Sequence, residues 1–492
     1  MSESRTARVL ILSSGSILTA LVSIFSGMVL TRLLSQHDFG TYRQAILAMT
    51  FAVPFVMLGL DRVLFTFLPK ETENPRATLV ENLTWLMMAG GLLSSFALLG
   101  GNHLLAKRFD NPALAPLLAW FGLYALFFIP AAAVSAGLLA RQRIRTLAVY
   151  NVASRVINFL FVVGLVWFWR TPGAALLGVL AGTILNCLTG MWLMWHACPG
   201  TNWRPSAAGM RRQLLFAIPL GLGSLMGTLS ASMDQMIVSM RCTPAEFAVY
   251  TVGAMEIPLI SVITGSITSV VLVDYARLHQ AGKLNEVLRL MQTAMTRSAL
   301  ILLPAMMLFW VLAPYLMQLL YGAAYAKAAV PFRIYLLLLP LRTLTFGAVF
   351  QATGSSRPIL VLSTIGLVAG AVLGWLLTGW LGAAGAAVAS ISVSYLIYLP
   401  LSLYVLRQRL QCSVREVFPW KKLGSILAAS GLAAGVVGLA LSCLHLNAIP
   451  AIAMATGGFL PLVLGGLVWL GAADGQLLKT TWRSLWPRQS AP

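Results

Sequence analysis

Charge is scarce in this chain. Only 10% of its 492 residues are Asp, Glu, Lys or Arg, where a soluble domain carries about 25%. So few charges cannot cover a water-facing surface, which excludes a soluble globular protein. Acidic residues are rarest, 14 against 34 Lys and Arg. The cysteines Cys187, Cys198, Cys242, Cys412 and Cys443 include no Cys-x-x-Cys pair, so neither a disulfide framework nor a metal site is expected. His37, His103, His196, His279 and His445 are scattered. No Gly-x-x-x-x-Gly-Lys loop is present, so ATP hydrolysis is not expected. No enzyme signature and no cofactor is read from the chain. Energy would come from an H+ or Na+ gradient, the membrane potential or the substrate gradient.

What the chain has is apolar length. Hydrophobic residues make up 59%, and mean hydropathy is +0.83. The apolar runs reach about 20 residues, enough to cross a bilayer as a helix. A β-barrel would show short alternating segments instead. The expected fold is therefore all-α integral membrane. The runs place fourteen transmembrane helices at 9–31, 44–68, 80–105, 113–138, 147–169, 173–196, 214–239, 247–272, 296–320, 331–353, 359–379, 382–406, 423–445 and 449–471. Polar and Pro/Gly breaks such as Asn74-Pro75, Asn111-Pro112 and Thr171-Pro172-Gly173 separate them. The first run is too long for a signal-peptide core, so it reads as an uncleaved first helix.

The net charge of +20 would suggest nucleic acid in a soluble protein. Here the basic residues occupy short loops, where they set topology and touch membrane lipid. No nucleic-acid partner is expected. Arg141, Arg143 and Arg145, then Arg204, Arg211 and Arg212, then Arg407, Arg409, Arg415, Lys421 and Lys422 fall on one side of the membrane. Fewer, including Arg32, Arg43, Lys107, Arg108, Arg170 and Arg241, fall on the other. The bias puts both termini in the cytoplasm.

The chain also repeats. Asp38-Phe39-Gly40-Thr41-Tyr42 follows the first span and Glu246-Phe247-Ala248-Val249-Tyr250 the seventh, 208 residues on. Gly173-Ala174-Ala175 and Gly382-Ala383-Ala384 open spans six and twelve, 209 residues apart. The reading is two six-helix lobes related by a pseudo-two-fold along the membrane normal, plus two extra C-terminal helices. The boundaries are 1–200 for the N-terminal lobe, 201–410 for the C-terminal lobe and 411–492 for the last helices and tail.

Ionisable groups inside spans default to functional candidates. Asn151, Arg155 and Asn158 share one face of the fifth span. They either form a cavity wall that grips phosphate and sugar hydroxyls, or Arg155 snorkels to the cytoplasmic face; the asparagines favour the wall. Arg342 follows Pro340 near mid-membrane, where snorkelling is harder. Arg62 beside Asp61 is either a cavity residue or half of a local ion pair. Arg297 reads as a snorkelling residue. Inward-facing arginines would select an anionic headgroup. Asp61, Asp234 and Glu256 are the candidates for coupling to H+ or Na+, against a plain structural role for each. Ser16, Thr19, Ser23 and Ser26 stripe the first span, where hydrogen bonding between helices is favoured over cavity lining.

Several motifs together carry a resemblance. They are Arg32-Leu33-Leu34 leading into Asp38-Phe39-Gly40-Thr41-Tyr42, then Gly59-Leu60-Asp61, Phe216-Ala217-Ile218-Pro219, Glu246-Phe247-x-x-Tyr250 and the Gly382-Ala383-Ala384-Gly385-Ala386-Ala387 tract. With these, the chain resembles the polysaccharide flippases of the Wzx type, in the multidrug/oligosaccharidyl-lipid/polysaccharide exporter superfamily. The resemblance implies a two-lobed bundle in the bacterial inner membrane. Its substrate would be an undecaprenyl-diphosphate-linked oligosaccharide, moved to the periplasmic leaflet by alternating access. Polysaccharide polymerase and export proteins would be its associates. A multidrug/cation antiporter of the same superfamily is the first alternative. A membrane polymerase or ligase is the second, and the short periplasmic loops argue against it.

Overall fold

The computed structural model describes residues 5–71, 74–200, 204–255, 257–353, 357–444 and 446–470. Regular structure among them is helical throughout. The first helices are α1 (Arg5–Leu33), α2 (Gln36–Met57), α3 (Leu60–Phe67), α4 (Pro75–Phe96), α5 (Asn102–Arg108), α6 (Leu114–Phe121), α7 (Leu123–Ala140), α8 (Ile144–Trp169) and α9 (Pro172–Ala197). Next come α10 (Ala207–Arg241), α11 (Pro244–Gly253), α12 (Pro258–Gln280), α13 (Leu284–Tyr321), α14 (Ala329–Leu336), α15 (Leu339–Arg342) and α16 (Phe346–Ala352). The chain ends with α17 (Arg357–Leu381), α18 (Ala383–Val393), α19 (Leu399–Leu410), α20 (Val414–Val417), α21 (Trp420–Leu444) and α22 (Ala448–Trp469).

Ten of these helical stretches are long and apolar enough to cross a membrane, and twelve spans result if each of two bent pairs counts as one. The protein is a multi-pass membrane protein. The expected spans fall on helical chain, but several are not single rods. The second breaks at Leu58 and Gly59, both left-handed (φ 40° and 80°), and bends by 48°. The third passes through a π-helical turn at Ala97–Gly101, where Gly100 takes φ 119°. The eighth divides into α11 and α12, with Pro258 at the head of the second piece. The tenth bends by 43° between Leu336 and Leu339, and Pro340 there cannot donate the backbone bond that a continuous helix needs.

The repeated acidic-Phe motif has a local cause. Ser35 caps α2: its hydroxyl accepts from the Asp38 N–H at 3.1 Å and donates to the Asp38 carboxylate at 2.7 Å. Thr243 does the same for α11, with Glu246 accepting from its N–H and its hydroxyl, each at 2.9 Å. Both are reciprocal caps that satisfy the free N–H groups of a helix start. Phe39 and Phe247 are buried behind them. Gly40 sits against the backbone of Pro244, so that a Cβ at position 40 would overlap the Pro244 carbonyl. The two helix starts therefore touch at a site that tolerates no side chain.

The chain forms two compact units, Met1–Thr251 with Leu367–Ala386, and Val252–Gly366 with Ala387–Pro492. The first is centred on Val63, Leu64, Ile129, Val134 and Met194, buried among α3, α7 and α9. It also holds a buried carboxylate. Glu81 on α4 accepts from the N–H and hydroxyl of Ser206 and from the Gln213 amide at 3.2 Å. Asn82 beside it donates to Gln213 at 3.2 Å and to the carbonyl of Leu60, the first residue of α3, at 2.9 Å. These bonds fasten the start of α10 to α3 and α4, and they satisfy groups that would be costly to bury alone. In the second unit, small residues Ala429, Ala433 and Ala434 of α21 pack against Ala451, Ala455 and Phe459 of α22 and against α13. Close backbone approach through small residues is how helices associate where water exclusion gives no driving force.

Candidate functional site

Five helices of the first unit, α1, α2, α7, α8 and α9, enclose a cavity of about 660 Å3. The α8 face supplies Asn151, Ser154, Arg155 and Asn158. This is the face that their spacing predicts. Its packing depends on α9. Gly178 leaves room for the Val162 backbone, and at Gly182 a Cβ would come within 2.6 Å of the Asn158 amide oxygen. Asn158 donates to the Ser154 carbonyl at 3.0 Å, and Asn186 of α9 donates to the same carbonyl at 3.3 Å. Tyr150 donates to the Asn186 carbonyl at 3.0 Å. This shared acceptor fixes the amides along one wall.

Arg155 is exposed and makes no hydrogen bond or ion pair with any described residue. A second guanidinium, Arg43 of α2, lines the same space. Sequence reasoning placed Arg43 in a loop because the segment before it, Gln36-His37-Asp38, is polar. Those residues are the first turn of α2, started by the Ser35 cap. Phe39, Tyr42, Arg43 and Ile46 recur at helical spacing and all face the cavity. That periodicity was the available signal. Thr19, Ser23 and Ser26 of α1 also line the cavity, although Ser23 additionally donates to the Thr19 carbonyl at 2.9 Å. The Ser16 side chain lies outside the described residues. The lining includes no Asp or Glu among the described residues, so the wall is positive.

Aromatic rings complete it. Tyr124 and Phe128 of α7 stack at 4.9 Å and 20°, and Phe121 stacks with Tyr124 at 5.0 Å and 17°. Two cations, several neutral hydrogen-bonding groups and an aromatic surface can hold an anionic group attached to something hydroxylated. The volume lies within the range of about 300–1,000 Å3 typical of ligand sites.

The other candidates are not gathered here. Asp61 and Arg62, at the start of α3, form a pair with N···O 3.9 Å and are both partly exposed, the local ion pair that their adjacency suggests. Arg342 ends α15 and lines a smaller pocket of about 320 Å3 in the second unit, with Ser394, Tyr398 and Ser402. One wall of that pocket is the π-helical turn Ser394–Tyr398, and Tyr398 lies against Gly366. Arg297 is exposed on α13. Asp234 of α10 accepts from the hydroxyl of the fully buried Tyr250 at 2.8 Å. Glu256 lies outside the described residues. No group of three or more metal-ligating side chains occurs among the described residues.

The helix order, with ten to twelve candidate spans among the described residues, defines the class: an all-helical, multi-pass membrane protein. The chain belongs to the polysaccharide biosynthesis protein family, whose model matches residues 29–330. Among solved structures, the fold is similar to that of the lipid II flippase MurJ in an inward closed conformation. That match has TM-score 0.75 and 15% identity over 94% of this chain and 98% of that one. It is also similar to an inward-facing multidrug resistance MATE family transporter of the MOP superfamily, with TM-score 0.63 and 13% identity over 82% of this chain and 98% of that one. The bent form of the Vibrio cholerae MATE transporter VcmN matches with TM-score 0.55 and 13% identity over 84% of this chain and 98% of that one. A search of curated protein sequences gives no match. At these identities the structural matches establish the fold.

Proposed function

We propose that the protein is a flippase. It moves undecaprenyl-diphosphate-linked oligosaccharide from the cytoplasmic to the periplasmic leaflet by alternating access. The pathway served is cell-surface polysaccharide synthesis: O-antigen, capsule or exopolysaccharide. The observation that carries this reading is the cavity with Arg43 and Arg155, a wall of amides and hydroxyls, and no described carboxylate. A diphosphate needs cationic donors with fixed geometry, and a sugar needs neutral hydrogen-bonding groups. The cations carried by a multidrug antiporter would meet repulsion there, which weighs against that reading. Membership of the polysaccharide biosynthesis family points the same way.

In this reading Asn151 and Asn158 contact the headgroup with Arg155, Arg342 acts in the second unit, and the Asp61–Arg62 pair is a secondary candidate. The chain crosses the bacterial inner membrane fourteen times, with α1 and α12 added to the twelve spans counted by length and hydropathy. Both termini are cytoplasmic, the lobes are 1–200 and 201–410, and 411–492 forms the extra pair and tail. It works without catalysis and beside a polysaccharide polymerase and export proteins.

The test is purified protein in vesicles loaded with a labelled undecaprenyl-diphosphate oligosaccharide, with transfer read by an impermeant glycosidase. Transfer is expected to exceed the protein-free rate by at least about tenfold. Transport of cationic drugs without transport of the lipid would sink the proposal. In the same vesicles, an imposed H+ or Na+ gradient is expected to accelerate transfer. Asp234→Asn, which keeps an acceptor for Tyr250 but removes the charge, is expected to abolish that acceleration. An unchanged gradient response would leave Asp234 a structural residue, with Glu256 and Asp61 next in line.

A further inference from the structure

One cluster takes no part in the cavity. Arg108 is the last residue of α5 and Arg241 the last of α10. Both guanidiniums lie over the ring of Trp375 on α17, at 5.3 Å and 4.4 Å from its centroid. Arg241 also donates to the Trp375 carbonyl at 3.3 Å. Gly379, one turn further along α17, makes room for it: a Cβ there would stand 3.0 Å from an Arg241 nitrogen. The place is therefore shaped for the Arg241 guanidinium, and Arg108 joins it over the same ring. Yet no described carboxylate lies within 4.0 Å of either guanidinium. Glu246, the nearest acid in sequence after Arg241, is occupied by Thr243 in the α11 cap.

Two like charges converge on one ring, and most of their N–H donors meet no acceptor among the described residues. Each guanidinium carries five donors, and only one neutral acceptor is shown for the pair. An anion placed against both would relieve the repulsion and accept bidentately. The surroundings say which anion. Trp380 is 84% exposed and Leu376 53% exposed. Trp375 lies about 9 Å below the end of α17, at 1.5 Å per residue. Exposed tryptophan near a helix end marks the boundary between hydrocarbon and headgroups.

We infer that Arg108, Arg241 and Trp375 form a binding site for the phosphate of an anionic phospholipid, in the leaflet where α5, α10 and α17 end. The lipid's acyl chains run down the apolar surface around Val372 and Val368, which are 54% and 59% exposed one and two turns deeper along α17. Bound there, it ties three helix ends together.

Native mass spectrometry of the detergent-purified full chain tests this. The probes are phosphatidylglycerol, phosphatidylcholine with the same acyl chains, and inorganic phosphate. The wild type is expected to bind its first phosphatidylglycerol in preference to phosphatidylcholine. Arg108→Gln/Arg241→Gln is expected to weaken that binding by about 25-fold, at about fivefold per arginine, whereas Arg108→Lys/Arg241→Lys keeps most of it. If the double variant does not fold, Arg108→Gln alone breaks no hydrogen bond and is expected to show the fivefold loss. Phosphatidylglycerol binding unchanged by these substitutions overturns the site. Inorganic phosphate that displaces the lipid at equal concentration overturns its assignment to lipid.

Discussion

Arg155→Ala is expected to cut lipid-linked oligosaccharide transfer by about 10- to 100-fold, the effect of losing a charge-assisted hydrogen bond to phosphate. The protein should reach normal levels and melt normally. The reason is local. Arg155 reaches into the cavity from α8 without a hydrogen bond or ion pair to any described residue. The neighbouring amides of Asn158 and Asn186 are held by the Ser154 carbonyl, not by Arg155. Removing the guanidinium therefore breaks nothing in the fold, and a lost activity reports on the substrate. Arg155→Lys should recover part of the rate, because a point charge attracts phosphate but cannot bond it bidentately. Adding Arg43→Ala should reduce transfer further. The assay is surface polysaccharide in a strain that depends on this chain, alongside the vesicle measurement. Wild-type polysaccharide from Arg155→Ala, at wild-type protein levels, would remove the cavity from the substrate path.

Why Arg155 was legible and Arg43 was not is a matter of what surrounds each. Arg155 interrupts an apolar span and has asparagines at helical spacing on its own face, so one helix contains the whole pattern. Arg43 follows a polar segment that looks like a loop until the Ser35–Asp38 cap is recognised as a helix start. Its meaning comes from α1, α8 and α9, which no local pattern names. Glu81 is a similar case. In sequence it is one acid at the start of a span. Its burial exists only because Ser206 and Gln213, more than 120 residues away, bring donors to it. The apolar runs themselves were readable because bilayer thickness dictates their length. The breaks within them were not. Pro54 and Pro340 permit a bend, and only packing decides whether the chain takes one at Leu58–Gly59 or at Leu336–Leu339.

The break at Leu58–Gly59 leads to an opposite pair of outcomes from two chemically identical substitutions. Gly221→Ala is expected to destabilise the protein, and Gly223→Ala, two residues along the same helix, is expected to leave it unchanged or slightly more stable. α2 ends with Leu58 in a left-handed conformation (φ 40°), which a side chain adopts at a cost. That turn carries the Leu58 carbonyl onto α10. There the Leu58 backbone occupies the space that a Cβ on Gly221 would take, and Gly59 (φ 80°) in turn lies close against the Gly221 backbone. Ala217, one turn earlier on α10, is fully buried in the same contact. Backbone cannot rotate aside as a side chain can. A methyl group at 221 must therefore push α10 away from the bend and strain the Asn82–Gln213 and Gln213–Glu81 bonds that hold the start of α10. An overpacked contact costs about 1–3 kcal/mol, and one against backbone belongs at the upper end. That corresponds to a fall in Tm of roughly 3 °C for a chain of 492 residues and a smaller folded fraction on size-exclusion chromatography. Gly223 faces open space, with no atom within 4 Å of its would-be Cβ. Alanine there only removes backbone freedom from the unfolded chain, worth about 0.4–1 kcal/mol in favour of folding. Equal melting temperatures for the two variants would mean that α10 does not press on the bend between α2 and α3. The two family motifs that meet at this contact, Gly59-Leu60-Asp61 and Phe216-Ala217-Ile218-Pro219, would then need another reason to occur together.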